Sequence, residues 1–496
     1  MYNNSSSRIK LIQKLSDAIE VEVGTEQGHP LSPELFKIFI HDLSEQLNNL
    51  DGVNVPLLNN RKVTHLLWAD DLVLLALDPE SLQNLLNVLH DYVKTWELEV
   101  NMGKTNVMVF NSSGRLLNES HKFYLGEDKI KPTSSYCYLG IKFSLNGSFK
   151  AAIADLTSKG KRAYFQMKKT VDTRALTVKN LFKLFDSLIL PIITYGAQIW
   201  LPMTAIGKEL AKVTQPHALS TTILKNAAKD NFELFHLKYM KWVLGLHKRA
   251  SNICCYGDTG RHPTGLRILL QSLKYFERTR SIANLEPDSL VGNAFVEQKT
   301  LELDWFTTWN NCLLSSSRPE QCRSRILGIF EEEWDGRRHG QSKLRFYNSV
   351  KTDFGLEPYL EIIDEKARKA ITRLRSSAHD LRVETGRYAS KRKTPTVVDR
   401  CCRYCCEVEQ LPHLMELPGF QPIIESEAHV LTTCPAYHPI RYSLSDELKC
   451  HLMLHQFSDT MAHHHLAREL GIYLLKCFNI RNPDKKEKKK MKKKKK

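Results

Sequence analysis

The run KVTHLLWADDLVLLAL, beginning at Lys62, sets two adjacent carboxylates, Asp70 and Asp71, inside a stretch of leucine and valine. A buried strand cannot hold that pair, because each carboxylate is costly to desolvate and makes its neighbour harder to ionise. The pattern predicts two strands, Val63 to Leu67 and Leu72 to Leu77, joined by a tight ADD turn that carries both acids into water. Two carboxylates on a hairpin tip suit Mg2+, which takes oxygen ligands, keeps several waters and completes its shell with substrate phosphates. Two such ions, about 4 Å apart, can activate a 3′-hydroxyl and stabilise a leaving pyrophosphate. An isolated Asp-Asp is far more often an ordinary exposed turn. The surrounding residues must therefore decide between the two.

A second constellation is CCRYCC followed by EAHVLTTCPAY. Cys402, Cys405, His429 and Cys434 have the spacing of zinc ligands, with thiolates that the metal would hold deprotonated. The spacer before His429 is long, as if LPHLMELPGFQPI were inserted. Cys401 or Cys406 would shift the register, and His413 is an alternative to His429. A three-histidine run at His463 reads as a solvated turn rather than a metal site.

These groups need elements to position them. Gly24 and Gly28 allow positive φ or close backbone approach, and Pro30 and Pro33 punctuate the loop around them. A helix is predicted from Ser32, with Leu35, Phe36, Phe39, Ile40 and Leu43 inward. After the acidic hairpin, Asp78 can cap a helix whose first residue is Pro79. Leu82, Leu85, Leu86, Leu89, Tyr92, Val93 and Trp96 then fall on one face, a core stripe. NVMVF from Asn106 reads as a strand, residues 116–148 as short strands, and Phe149 to Glu277 as mostly helical and basic. Residues 278–387 are mixed and offer little functional signal.

The 496 residues are 42% hydrophobic, enough for several cores, and the net charge of +16 points to an acidic partner such as nucleic acid. Ten lysines and one glutamate after Asp484 supply +9 of that charge, leaving a moderately basic body. The tail is either an electrostatic arm or the translation of an A-rich tract, and its near-purity favours the second. The polar opening MYNNSSSRIK does not read as a signal peptide. The most apolar stretch, from Leu184, is broken by Asp186 and Pro191, so no membrane partner is expected. The twelve cysteines then read as thiols or metal ligands in nucleus or cytoplasm.

Four segments in order resemble the reverse transcriptases of non-LTR (LINE-type) retrotransposons. GTEQGHPLSPELFKIFIHDL is similar to their loop-plus-helix motif, LLWADDLVLLA to their catalytic hairpin, LEVNMGKTNVMVF to their lysine motif and YLGIKF to their primer-gripping turn. LFDSLILPIITYGAQIW and Phe232 to Gly257 resemble the region after their polymerase core, and CCRYCC with its partners resembles their Cys-Cys-His-Cys knuckle.

The resemblance implies an α+β fold. A partial polymerase palm would cover residues 1–115, palm end and helical thumb-like region 116–290, a helical linker 291–395, a zinc-knuckle-like segment 396–445, and a helix with the lysine tail 446–496. It implies Mg2+ at Asp70 and its weaker neighbour Asp71, Lys104 near the triphosphate, and Gln27, Gly28, Pro30, Trp68 and Ala69 against template and nucleotide. It further implies Zn2+ at the knuckle, with an RNA template and a DNA primer or target as partners.

Three departures stand out. His29 precedes Pro30 where an acidic or small residue is usual, and Trp68 replaces a tyrosine or phenylalanine. Only 23 residues precede Gly24, and Asp17 is no substitute for the family's first metal-binding aspartate. A polymerase nearly inert on its own is therefore expected. The alternative is a non-enzymatic RNA- or DNA-binding protein built on the basic helices, such as SKGKRAYFQMKK from Ser158, and the knuckle.

Overall fold

The computed structural model describes residues 6–12, 14–20, 24, 28–116, 122–201, 207, 209, 212–213, 216–226, 229–300, 319–386, 397–406 and 421–481. The chain divides into two units, Met1–Ser148 with Thr279–Glu302, and Phe149–Arg278 with Leu303–Lys496. Among the described residues, helices combine with two-stranded sheets, nearly all antiparallel, in an α+β arrangement. No described helix is long and apolar enough to cross a membrane.

In the first unit, the helix predicted from Ser32 is interrupted. Ile40 leaves helical geometry (φ −100°, ψ 12°), which separates α1 (Ser32–Phe39) from α2 (His41–Asn48). The break shifts the helical phase. Ile40, Leu43 and Leu47 are buried, while Ile38 and Phe39 face outward. Asp78 caps α3 (Pro79–Thr95) as predicted, accepting from the Ser81 N–H at 2.8 Å. Leu85, Leu86, Leu89 and Tyr92 of its stripe pack with Leu43, Leu47, Val53, Val55 and Phe123. Trp96 does not join them. It lies past the end of the helix, 43% exposed and edge-on to Phe39 at 5.4 Å. The expected strand NVMVF is short: only Asn106–Val107 pairs, in parallel, with Lys131–Pro132.

Two hairpins complete the described site. The first pairs β1 (His65–Trp68) with β2 (Asp71–Leu74), and the second pairs β3 (Ser135–Tyr138) with β4 (Ile141–Ser144). In the second, Leu139 (φ +45°) and Gly140 (φ +81°) form the loop, the two positive φ angles of a type I′ turn.

The second unit is helical. Helix α4 (Lys150–Thr170) packs Tyr164 against Phe235 and Tyr239 of α5 (Asn231–Leu244). Asp186, which breaks the most apolar stretch, is held by Arg261 (2.5 Å) and Arg267 (3.0 Å). Residues 278–387, nearly silent in sequence, contribute a buried ion cluster. Arg375 of α6 (Glu365–Arg375), fully buried, meets Asp258 at 3.3 Å and Glu357 at 2.9 Å, and Lys351 meets Glu357 at 2.5 Å. Each member removed alone would strand a buried charge.

The closing helix α8 (His464–Arg481) lies against α6 so tightly that a Cβ on Gly471 would come within 2.6 Å of both Ala367 Cβ and its carbonyl oxygen. Helix propensity alone favours alanine there by about 1 kcal/mol. Overpacking against a rigid backbone reverses the sign, so Gly471→Ala is expected to destabilise by about 1–3 kcal/mol in denaturant unfolding. A gain in stability would contradict the close crossing.

Candidate active site and metal centre

The acidic hairpin is tighter than its sequence suggests. Trp68 pairs directly with Asp71, leaving Ala69 and Asp70 as a two-residue turn. Asp71 is therefore the first residue of a strand and not part of the loop. Both carboxylates are exposed, as like charges on adjacent residues require. Ala69 sits at φ +52°, a left-handed conformation that costs a non-glycine residue about 1 kcal/mol. Trp68 is 66% exposed beside the tip.

A chain of polar contacts fixes the base of this hairpin to α2. Thr64 donates its hydroxyl to Asn48 at 2.9 Å, so His65 Nδ1–H donates to Thr64 at 2.9 Å. His65 Nε2 then accepts from the Ser44 hydroxyl at 3.0 Å. Burial holds the imidazole below its ordinary pKa, which favours this neutral tautomer.

The second hairpin stands alongside. Tyr138 lies close enough to Asp71 for the carboxylate to add to burial in raising the phenol's pKa. Tyr136 donates its hydroxyl to the Lys104 carbonyl at 3.4 Å. Lys104 itself is exposed, on a turn closed by its N–H donating to the Asn101 carbonyl at 3.0 Å. Tyr136 thus ties the second hairpin to the lysine turn, and Tyr138 lies within electrostatic range of the acidic tip. Gly28 has φ +93° with open space around it, so backbone conformation and not close approach calls for glycine. Pro30 is exposed, and His29 Nδ1 accepts from the Leu31 N–H. Gln27 lies outside the described residues.

The Cys-His constellation comes together. The ligand atoms of Cys402, Cys405, His429 and Cys434 all lie within 4.8 Å of one another. Cys434 Sγ is 3.9 Å from the sulfurs of both Cys402 and Cys405, and Cys405 Sγ is 3.3 Å from His429 Nε2. A tetrahedron with Zn–S of about 2.3 Å and Zn–N of about 2.0 Å has S–S edges near 3.8 Å and S–N edges near 3.5 Å. The donor set fits a Cys3His zinc site.

Local structure aims each ligand. Cys405 and Cys406 N–H groups both turn back to the Cys402 carbonyl. Ser426 caps α7 (Glu427–Thr432) by accepting from the His429 N–H at 3.2 Å. His429 Nδ1 meets the Thr433 hydroxyl at 2.9 Å, leaving Nε2 for the cluster. The other registers are occupied elsewhere. Cys401 Sγ donates to the Val397 carbonyl and Cys406 Sγ to that of Ile423, while a bridge between Cys401 and Ile424 closes the long spacer. His413 is outside the described residues. Burial, with the neighbouring cysteines Cys402 and Cys434 adding, raises the Cys405 thiol, and burial, with Arg441 adding, lowers the His429 imidazole. A bound cation would reverse the first effect and exploit the second.

A family model described as reverse transcriptase (RNA-dependent DNA polymerase) matches residues 7–143, the segment that carries the acidic tip, the lysine turn and YLGIKF. A Pol polyprotein from a type-1 retrotransposable element R2 of Popillia japonica is 27% identical over 190 residues, 37% of this chain and 30% of that protein. The RNA-directed DNA polymerase from mobile element jockey of Drosophila funebris is 23% identical over 187 residues, 36% of this chain and 19% of its own length. This chain carries a reverse-transcriptase domain of the non-LTR retrotransposon type. A putative uncharacterized transposon-derived protein of Caenorhabditis elegans is 32% identical over 147 residues, 29% of this chain and 50% of that protein. The chain spans half or less of the length of each of these relatives.

Two outcomes follow from the site. Because His65 is held below its ordinary value of 6.5, the folded hairpin binds protons less readily than the unfolded chain. Stability from this group is present above that value and is lost as pH falls below it. Amide exchange of Leu66 and Leu67, corrected for intrinsic rate, is expected to quicken from pH 7.5 to pH 5.5, and His65→Gln should remove that dependence. Zn2+ added to metal-stripped protein is expected to raise the thermal midpoint by about 5–10 °C, and Cys402→Ser should abolish the gain. A midpoint indifferent to zinc would exclude the metal reading.

Proposed function

We infer that the reverse-transcriptase domain of this chain handles an RNA template and a DNA primer or target, and that its polymerase chemistry is weak when the chain acts alone. In this reading Asp70 and Asp71 hold Mg2+, which when bound activates the attacking hydroxyl and neutralises charge on the phosphates. Lys104 faces the triphosphate, where an ammonium offsets developing charge or supplies a proton to pyrophosphate. Gln27, Gly28, Pro30, Trp68 and Ala69 line the path of template and incoming nucleotide, with the exposed indole of Trp68 available to stack.

The weakness is argued from ligand number. Among the described residues, only the cysteine–histidine cluster brings three or more metal-binding side chains together. Among the described residues no third such group stands with Asp70 and Asp71, and a bridged pair of ions needs more than one hairpin supplies. The second reading, a non-enzymatic nucleic-acid binder, is favoured by one feature. The outward face of α4 sets Lys161, Arg162 and Lys169 around Phe165, which is 56% exposed. Cationic residues around an exposed ring suit a strand's backbone and bases. The zinc cluster belongs to either reading.

Primer extension on an RNA template with Mg2+ separates the two. The full chain is expected to extend at or near background and still to bind RNA, with affinity falling as salt rises. Robust extension that Asp70→Ala abolishes would overturn the claim of weakness. Absence of both extension and salt-dependent binding would overturn the nucleic-acid reading itself.

A further inference from the structure

Past the end of α5 lies a group of cations that the outward face of α4 does not include. The helix stops on Gly245, a left-handed residue (φ +69°), and the Leu246 N–H turns back to the Lys241 carbonyl at 2.8 Å. The stem of Lys369 lies across Gly245 and leaves no room for a Cβ. A tight turn follows. Ala250 donates its N–H to the His247 carbonyl at 3.0 Å, with Lys248 and Arg249 exposed between them.

Side chains from neighbouring segments ring this turn. Arg373 of α6 donates Nε–H to the Gly245 carbonyl at 2.9 Å, and Lys241 donates Nζ–H to the Lys248 carbonyl at 3.0 Å. A carbonyl carries no net charge, so these two cations are fixed in place without being neutralised. Lys369 differs, being paired with Glu365. Burial lowers the His247 pKa, with Lys343, Lys241 and Arg249 adding and the Asp380 carboxylate opposing. Ser251, just past the turn, donates its hydroxyl to the Gln341 amide oxygen at 3.2 Å, which holds the segment of Lys343 beside it. His247 Nδ1 accepts from the Arg249 N–H at 3.1 Å, leaving Nε2–H as a donor on an exposed ring.

We propose, resting on the nucleic-acid reading above, that the turn from His247 to Ala250, ringed by Lys241, Lys343 and Arg373, docks the phosphate backbone of a nucleic-acid strand, in addition to the outward face of α4. Lysine and arginine bind phosphodiesters through charge and carry no sequence information by doing so. A protein partner would call for an apolar or aromatic centre depleted of lysine. Here the centre is Lys248 and Arg249, while Ala250 is buried and Leu246 half-buried. An anionic membrane would call for an exposed apolar side chain to insert, which this turn does not offer.

The test is fluorescence anisotropy of a labelled poly(U) RNA titrated with the zinc-loaded full chain between about 50 and 200 mM KCl. Wild type is expected to bind with an affinity that falls steeply with salt. Lys248→Ala combined with Arg249→Ala should weaken binding about 10-fold at the lower salt. It should also reduce the slope of log affinity against log salt by about 1.4, the loss of two phosphate contacts on a single strand. Arg468→Ala combined with Lys476→Ala removes the same charge from exposed positions of α8 and should change neither quantity. Circular dichroism confirms that each variant folds. RNA binding by wild type with affinity and slope unchanged in the turn variant would overturn the docking surface and leave the nucleic-acid reading intact. So would an equal effect of the α8 pair, the mark of net charge alone. No RNA binding by wild type would overturn that reading and the surface with it.

Discussion

Adjacent carboxylates repel, and that repulsion organises the first unit. Asp70 and Asp71 cannot be buried together, so the leucine-rich run that carries them has to turn back on itself at that point. The turn is made with two residues, at the expense of a left-handed Ala69. Contacts beneath the tip hold the hairpin in place. The Asn48–Thr64–His65–Ser44 chain ties β1 to α2, and the leucine face of α3 supports the same core. Charge is presented at the surface while its scaffold is fixed from below.

The cysteine–histidine cluster follows the opposite logic. Its ligands are buried or half-buried, and side chains outside the donor set satisfy carbonyls around it. Arg441 donates to the carbonyls of Val430, Leu431 and Cys434, and Tyr473 of α8 donates to that of Val430. Arg481, at the end of α8, pairs with Glu425 at 2.7 Å, just before α7. A metal here would fasten the terminal helices as much as present a surface. That sets the cluster apart from an autonomous knuckle on a flexible tether, and a metal bound there would tie its affinity to the integrity of the second unit.

What could be read from the chain alone was mostly local. The Asp78 cap, the α3 stripe and the exposed acidic turn depend on residues a few positions apart, and each is present. The break at Ile40 was not legible, because Leu35 through Leu43 keep a helical period while the chain bends between them. Asp71 as a strand residue was also hidden, since residue type does not set register. The electrostatic influence of Asp71 on Tyr138 is tertiary, and the only hint was the resemblance of YLGIKF to a known turn. For the cysteine–histidine cluster, sequence offered, among competitors, the four side chains that come together. The pairing of Cys401 with Ile424 settles the register, and it lies across the long spacer where no spacing rule reaches. The ion cluster of Arg375, Glu357 and Lys351 was invisible because its other partner, Asp258, comes from more than a hundred residues earlier.

The central claim is that the acidic tip is a divalent-cation cradle supplied by one hairpin alone. Paramagnetic broadening by Mn2+, followed on the amides around the tip, tests it most directly. The account predicts weak, saturable broadening centred on Ala69 to Leu72 that disappears in Asp70→Ala. Broadening centred elsewhere, or unaffected by that substitution, would contradict it.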